Sequence, residues 1–565
     1  MSFGSSMAVP HPLILPRLRV VASKTALSTV NVNLKKAFVN SVDGGEFVWK
    51  SGDYSAEVTA DTQKGVYVAS ASAASTSGAW VRSDYKNGVV HAWWFGFSES
   101  ESAANNSTYF DAALSFAAST AGGVFYSTAG GAVVKCHGGV FSFNNEHVVP
   151  EFVDVKGAGK GKTVFKCASA GASIRYGTKA GAFGAAQRGG ESGGFTVDGN
   201  DTANLGLLIG FVVERDFKDI DVINCKGSSN GDGIVIQAAQ NCNFVGVNAQ
   251  HNGGTSGDGC NIVLDYGAGN NRFYGSEVNR PGEYNIKFIQ SGTSPTGAFS
   301  VPTGNRFYGA MIERWEDQDD TGTVTALGSI YHGAGRTNYF DNVDLSLTGL
   351  PSALPMVVMR KDGAGASTLL TFNNPKFHGT ASQSVALDID GAVNCRLVGV
   401  SFFENHGTVF KVGDASAVHI IGELVDSSGG TFFANQSGGS ATQDQVIFFE
   451  GADIVHKLAR GSAGNDALSV SVSGESFTRM ILRPNGIALG PGSSAVDVSL
   501  SRDSAAGVAS LKTDTALFEL GAAGIVVVTG APTIGVPDGW IAFRTDGGAG
   551  TTIYHRTGGA WVARA

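Results

Sequence analysis

The chain has 565 residues, of which 16% are charged, 79 are glycine and 14 are proline. Its formal net charge of −9 argues against a nucleic-acid partner or an anionic membrane surface, both of which need clustered Lys and Arg, and leaves room for a neutral glycan or for an acidic one held by local basic patches. Glycine at about twice ordinary usage suits short strands joined by tight turns, where Gly and Asn accept positive φ, and suits long helices poorly.

The opening stretch, MSFGSSMAVPHPLILPRLRVV, has its apolar residues cut by prolines and followed by arginines, which makes a poor secretory signal. No apolar run reaches the roughly 18 residues that span a bilayer. The expectation is a chain made in a cytoplasm, with no membrane insertion. Segments such as GEFVWKSGDYSAEV, GVYVAS and GAWVRSDY alternate and read as strands; residues 1–95 form a first region. NNSTYFDAALSFAAS, residues 105–119, keeps apolar residues at helical spacing, with Asn106 or Ser107 as the expected cap.

From about 122 to 460 the chain becomes a series of short apolar runs separated by Gly, Asn, Asp and Ser. Asp232, Asp258 and Glu283 open equivalent runs 26 and 25 residues apart. NRFYG occurs at 271 and 305, and NYFDN at 338; the phenylalanines of these phrases and of NFVGV follow one another at 29, 34 and 33 residues. A period in the twenties with several strands per period means stacked repeats, and loops of variable length between rungs account for the wider phenylalanine spacings. A parallel β-helix, here placed at residues 96–464, fits: each winding adds one rung, about 4.7–4.9 Å above the last. A long chain is no obstacle, because a solenoid has no globular size limit.

Residues 465–565 alternate regularly and read as a hairpin-rich module, with TDGGAG as a turn between WIAF and TIYH. The six cysteines, at 136, 167, 225, 242, 260 and 395, include no CxxC pair and sit mostly in apolar runs, which predicts buried free thiols. Neither HExxH nor Cys/His zinc spacing is present. KGAGKGKT, residues 156–163, ends like a phosphate-binding loop but begins with Lys156 where that loop needs Gly, and its context is strand–turn–strand with no helix to face a phosphate.

The order GVYVASASAASTSGAWVR, HAWWFGF, YFDAALSFAAS, GGVFY, VDVKGAGKGKTVFK resembles the lead-in to the pectate-lyase-like β-helix of bacteriophage tailspikes. RPNGIALGPGSSAVDVSLSR and GWIAFRTDGGAGTTIYHRTGGAW are similar to the C-terminal β modules of the same proteins. The resemblance spans residues 45–565. It implies an all-β chain: a right-handed parallel β-helix with an N-terminal β-rich particle-attachment segment and a C-terminal antiparallel module. It further implies a homotrimer in a virion tail, attached to a tail or baseplate protein and binding, commonly cutting, a bacterial surface polysaccharide. Threefold closure also makes physical sense, since it leaves no lateral face open.

In a β-helix, equivalent positions of successive rungs form a line. Asp232, Asp258 and Glu283 are therefore expected along one corner, where GDGI is similar to the catalytic turn of β-helical polygalacturonases. Glycoside hydrolysis needs two carboxyl groups, and stacked acids raise one another's pKa. The alternative is that each Asp merely bonds the backbone of its own turn. In MIERWEDQDD, Glu313, Arg314 and Trp315 combine an acid, a guanidinium and an aromatic; Glu313 is expected one rung above Asn279 and facing the groove of Glu277 or Glu283. The alternatives there are a solvated acidic loop or oxygen ligands for calcium. His251, His332 and Arg336 are further candidates for substrate contact, as are Arg175, Lys179 and Arg188 for an acidic sugar. The hydrolytic pair is drawn from Asp232, Asp258, Glu283 and Glu313; no cofactor or metal is expected. A β-elimination lyase acting on a uronate is the alternative enzyme, and an adhesin without chemistry the alternative outside enzymes.

Overall fold

The computed structural model describes residues 18–121, 131–178, 186–253, 259–291, 301–315, 327–348, 355–360, 369–412, 417–426 and 431–435, apart from 87, 229 and 392–393. Beyond these it describes 468–470, 480–483, 486–489, 498–502, 509–513, 517–520, 523–546 and 553–564. The chain divides into two compact units, Met1–Ile454 and Val455–Ala565.

The first unit opens with a five-stranded sheet built from Arg19–Val21, Lys36–Val39, Gly45–Ser51, Tyr67–Val68 and Gly78–Arg82. The short helices Lys24–Ser28 and Ser55–Ala60, absent from the sequence reading, lie between its strands. Trp80 on Gly78–Arg82 is fully buried against Trp49 of the central strand, with ring centroids 5.7 Å apart. The Arg82 guanidinium is buried too, donating to the carbonyls of Gly65, Gly44 and Asp43.

The helix runs Ala103–Thr120, slightly longer than predicted, and its cap is Ser102, whose Oγ accepts the N–H of Asn105 at 3.2 Å. Neither expected cap residue fills that role. Asn106 is fully buried and bonds both backbone groups of Ser98, and the Ser107 hydroxyl accepts the N–H of Asn144. Phe110, Leu114 and Ala117 seat one side of this helix on the end of the β-helix core.

From Val89–His91 onward the chain winds as a parallel β-helix with three faces, here termed A, B and C in chain order within each rung. One rung runs through Asn243–Gln250, which supplies both A and B, to Ile262–Asp265 on C; the next runs through Arg272–Tyr274, Glu277–Asn279 and Tyr284–Phe288. Corresponding strands pair in parallel from rung to rung, for instance Phe244 to Phe273 on A, Gln250 to Asn279 on B and Ile262 to Ile286 on C. Each A–B corner needs a left-handed residue, and Asp219, Gly246, Gly275, Gly309, Asn342, Asn374 and Gly399 supply it with φ between 47° and 60°. This is the corner chemistry that the Gly- and Asn-rich composition foretold.

The interior is a set of vertical stacks. Phe217, Phe244, Phe273, Phe307, Phe340 and Phe372 form one, with successive ring centroids 4.2 to 5.1 Å apart. The repeated NRFYG and NYFDN phrases are therefore register partners, Phe273 over Phe307 over Phe340. Two buried asparagine ladders close the corners. In one, Asn271 Nδ2 donates to Asn305 Oδ1 and Asn305 Nδ2 to Asn338 Oδ1, both at 3.0 Å. In the other, Asn252 Nδ2 donates to Asn261 Oδ1 at 2.9 Å and Asn261 Nδ2 to Asn285 Oδ1 at 2.7 Å. All six cysteines are buried free thiols. KGAGKGKT does turn between two strands, Val153–Lys156 and Thr163–Cys167.

The second unit contains two five-stranded sheets, mostly antiparallel. Ile541–Arg544 pairs antiparallel with Ile553–Thr557, as the hairpin reading expects, while most of TDGGAG lies outside the described residues. One pair departs from the all-antiparallel expectation: Ala523–Val528 runs parallel to Ile541–Arg544. The connection between them, residues 529–540, is far longer than a hairpin turn, which lets the chain cross over instead of turning back.

Candidate functional site

NGDGIVIQ, residues 230–237, crosses the corner from B to C. Asn230 and Gly231 are both left-handed, with φ of 65° and 68°, and turn the chain into Asp232–Gln237. Asp232 Oδ1 accepts the N–H of Cys260 on the next rung at 2.8 Å. Gly233 follows because a Cβ there would lie 2.5 Å from Asn252 Nδ2 and 2.7 Å from the carbonyl oxygen of Asn261, inside the asparagine ladder. Gly259 is left-handed (φ 104°) and equally confined, since a Cβ there would lie 1.6 Å from the carbonyl oxygen of Asn230. The aspartate caps the rung beside it, and the glycines let the rungs close up.

The next element extends the site. Glu283 stands at the mouth of Tyr284–Phe288 and its N–H bonds the Gly259 carbonyl at 2.8 Å. Its Oε2 accepts the Cys260 thiol at 3.6 Å and the Lys287 ammonium at 2.5 Å. Asp232 and Glu283 thus touch the same residue, Cys260, from opposite sides. Lys287 Nζ lies 5.9 Å and 5.8 Å from the ring centroids of Tyr284 and Tyr331, which stand 5.0 Å from each other. Lys287 belongs to a line on the outside of face C: Leu208, Val235, Val263, Lys287, Tyr331, Val358. Leu208, Val235, Val263 and Val358 are buried there, an apolar strip broken by one ammonium and one phenol.

Burial sets the electrostatics. Desolvation pushes the Asp232 carboxyl up to about 6, against the Cys260 N–H and Lys287, which favour its charge, and with Glu283 and Asp265 adding repulsion. Burial alone would lower Lys287, but Cys260, Glu283 and Asp232 outweigh it and raise its pKa above the ordinary lysine value. Desolvation drives the Cys260 thiol far above the range of a reactive thiolate.

His251 is the left-handed residue (φ 56°) at the same corner; Arg280 Nη1 donates to its Nε2 at 2.6 Å. Glu277 begins the adjoining B strand and accepts the Asn279 amide at 2.9 Å. Asn279 pairs in register with Glu313, whose carbonyl accepts the Asn285 ladder amide. Asp232, Glu283, His251, Glu277 and Glu313 therefore gather on face B and the B–C corner. Asp258, Lys179 and the acidic residues 316–320 lie outside the described residues, and of Arg314 and Trp315 only the backbone, paired with Leu347 and Thr348, is described.

Two expected contacts fall elsewhere. His332 is wholly inside the helix, in the inward line Leu264, Phe288, His332, Met359, with its ring on Asn338 Nδ2 at 3.1 Å. Strand parity decides this, since His332 is the neighbour of the outward-facing Tyr331, and it is core and no substrate contact. Arg336 is exposed at the C–A corner, bridging to Thr303 at the far end of the C strands. Arg175 is engaged by Glu146 at 3.0 Å, while Arg188 is exposed. Lys287, Cys260, Tyr284, Tyr331 and Arg280 were missed by the sequence reading; the apolar–Lys–apolar phrase YNIKFIQ directly after Glu283 was the available signal for Lys287.

No known family profile and no curated protein sequence matches the chain. Among solved structures it is similar to ORF18 of Geobacillus virus E2, at 13% identity over 85% of this chain and 86% of that one, with a TM-score of 0.45. It is also similar to the gp42 tailspike of Acinetobacter phage vb_AbaP_AS12, at 11% identity over 87% and 91%, TM-score 0.47. A third is the tailspike gp49 of Acinetobacter baumannii bacteriophage Fri1, a capsular polysaccharide depolymerase, at 12% identity over 72% and 74%, TM-score 0.45.

Proposed function

We propose that the chain is a phage tailspike that binds and depolymerises a bacterial surface polysaccharide by glycoside hydrolysis at the B–C corner, with Asp232 as general acid and Glu283 as the ionised partner. The observation that carries this is the pair of unlike carboxyl environments joined through Cys260: Asp232 is desolvated and pushed up to about 6, Glu283 is held by Lys287. Two acids whose surroundings differ in this way divide into a proton donor and a carboxylate. Asp232 opens its strand one rung before Cys260 and Glu283 follows one rung after, so their backbones are about 9.5 Å apart along the axis. The acid protonates the glycosidic oxygen as the bond to the anomeric carbon breaks. The carboxylate takes a proton from the water attacking that carbon. Tyr331 supplies apolar ring surface for a pyranose, and Lys287 is ion-paired with Glu283. Three such chains around a common axis, carried in a virion tail on a tail or baseplate protein, complete the reading.

The test is incubation with a panel of bacterial capsular and O-chain polysaccharides, scored for new reducing ends, with Asp232→Asn and Glu283→Gln beside the parent. Loss of reducing-end release in both variants supports the assignment; full activity in both removes it. A lyase has one specific observation in its favour, the His251–Arg280 pair. There the guanidinium would neutralise a uronate and the imidazole would accept its α-proton. A product with a new double bond, absorbing at the ultraviolet edge, selects that reading. Binding to cells with neither product selects an adhesin.

A further inference from the structure

Face A carries a second surface, away from the B–C corner. Two outward lines run along it on either side of the buried phenylalanine stack. The first is Asp216, Asn243, Arg272, Arg306, Tyr339 and the second Lys218, Val245, Tyr274, Tyr308, Asp341, each residue in register with the next. At the centre of this array Arg272 and Arg306 are exposed, and Tyr274 is 38% exposed.

Three of the four central side chains, Tyr274, Tyr308 and Arg306, are ordered by one another. The rings of Tyr274 and Tyr308 stack at 5.0 Å and 8°. Arg306 Nη1 donates to the Tyr308 hydroxyl at 3.3 Å, and its guanidinium lies 4.6 Å from the centre of the Tyr339 ring. Arg272 makes no ion pair among the described residues. The acids that flank the array are already engaged: Asp216 accepts the Asn243 amide at 2.8 Å and meets Lys218 Nζ at 3.4 Å, and Asp341 accepts the Asn373 amide. Two guanidinium groups and two phenol hydroxyls thus repeat from rung to rung on a chain whose net charge is −9.

We infer that the outer surface of face A is a binding track for an acidic polysaccharide, the carboxylates of which pair with Arg272 and Arg306 while its hydroxyls bond Tyr274 and Tyr308. The inference rests on the polysaccharide reading above and adds to it a separate, non-catalytic site and the charge class of its ligand. Rung repeat is the argument for a linear polymer: donors recur every 4.7–4.9 Å or so, on the order of the length of one sugar unit. Guanidinium forks suit carboxylates. A protein partner is disfavoured because the patch lacks the apolar centre of a stable interface; Val245 is its one exposed aliphatic side chain.

The experiment is affinity electrophoresis of the full chain through gels containing polygalacturonate or neutral dextran, at low and high salt. The parent and Glu283→Gln are expected to be retarded by polygalacturonate and not by dextran, less so at high salt. Arg272→Gln combined with Arg306→Gln is expected to weaken retardation about tenfold, and Tyr274→Ala combined with Tyr308→Ala several-fold, with thermal midpoints and reducing-end release from short oligosaccharides unchanged. Equal retardation of parent and arginine variant, or none by polygalacturonate, overturns the track whether or not the chain cleaves a glycan. Retardation without any cleavage keeps the track and sinks the hydrolytic reading. If the arginine variant instead changes the oligomeric state in sedimentation, face A is an interface between copies and the inference fails.

Discussion

Asp232 and Cys260 are 28 residues apart in the chain, yet Asp232 Oδ1 accepts the Cys260 N–H at 2.8 Å. The contact ties one rung to the next and at the same time takes a carboxyl out of water. The structural role and the chemical role proposed above therefore fall on one side chain, and they can be separated by pH.

The folded chain holds the Asp232 proton more tightly than the unfolded chain, because burial lifts the carboxyl from 3.8 to about 6. The stability it contributes is complete below about pH 4 and is lost as pH rises through about 6. Asp232→Asn keeps the Oδ1 acceptor and removes the titration. It is expected to flatten stability between those values and to raise it at neutral pH by about 1–2 kcal/mol, reduced from the full shift by partial exposure. Chemical denaturation at three pH values checks this, and a parent-like slope in the variant contradicts it.

His332 works in the opposite direction. Burial pushes its imidazole down to about 3 from 6.5, so its neutral form is favoured in the fold. Its stabilising effect is complete above about pH 6.5 and is lost as pH falls toward 3. His332→Gln retains an acceptor for Asn338 and is expected to fold with a shallower acid slope. Thermal midpoints from pH 7 to pH 4 read this directly.

Asn305 accepts both the backbone N–H and the amide of Asn271, and donates to Asn338 Oδ1 and to the Ala268 carbonyl. Truncation leaves several buried polar groups without partners, each costing about 1–3 kcal/mol. Asn305→Ala is expected to destabilise by about 3 kcal/mol or more. Asn374→Ala, which removes an exposed Asn–Asn contact but keeps a left-handed corner, is expected to cost about 1 kcal/mol. Unfolding in urea separates the two.

Phe307 has Phe273 at 4.2 Å on one side and Phe340 at 4.8 Å on the other. Phe307→Ala opens a cavity in a rod that cannot shift laterally to fill it, and about 3–5 kcal/mol of lost stability is expected. Phe307→Leu is expected to cost less than half of that. Equal losses would mean that ring stacking, and not volume, sets the cost.

Glu283→Gln is expected to lower depolymerisation by about 10²-fold or more if the carboxylate activates water. Lys287→Met removes the cation but not the acid, and is expected to lower turnover less while weakening the salt dependence of substrate binding. Initial rates of reducing-end release for both variants make the comparison, and a larger loss in Lys287→Met would exchange the two roles.

The sequence by itself determined the winding. Left-handed corners every rung, period, and apolar runs too short for helices are local properties, and NRFYG repeated at the right interval shows which residues stack. The aspartate at the mouth of Asp232–Gln237 was equally legible, because an acid between two glycines serves a tight corner. What tertiary structure alone decided is which way a side chain points and what lies beside it one rung away. His332 and Tyr331 are neighbours in sequence, but strand alternation sends one into the core and the other to the surface. Cys260, Glu283 and Lys287 met Asp232 only once two corners of different length had been closed, since register between rungs depends on the length of every intervening loop, and no short stretch of sequence carries that sum.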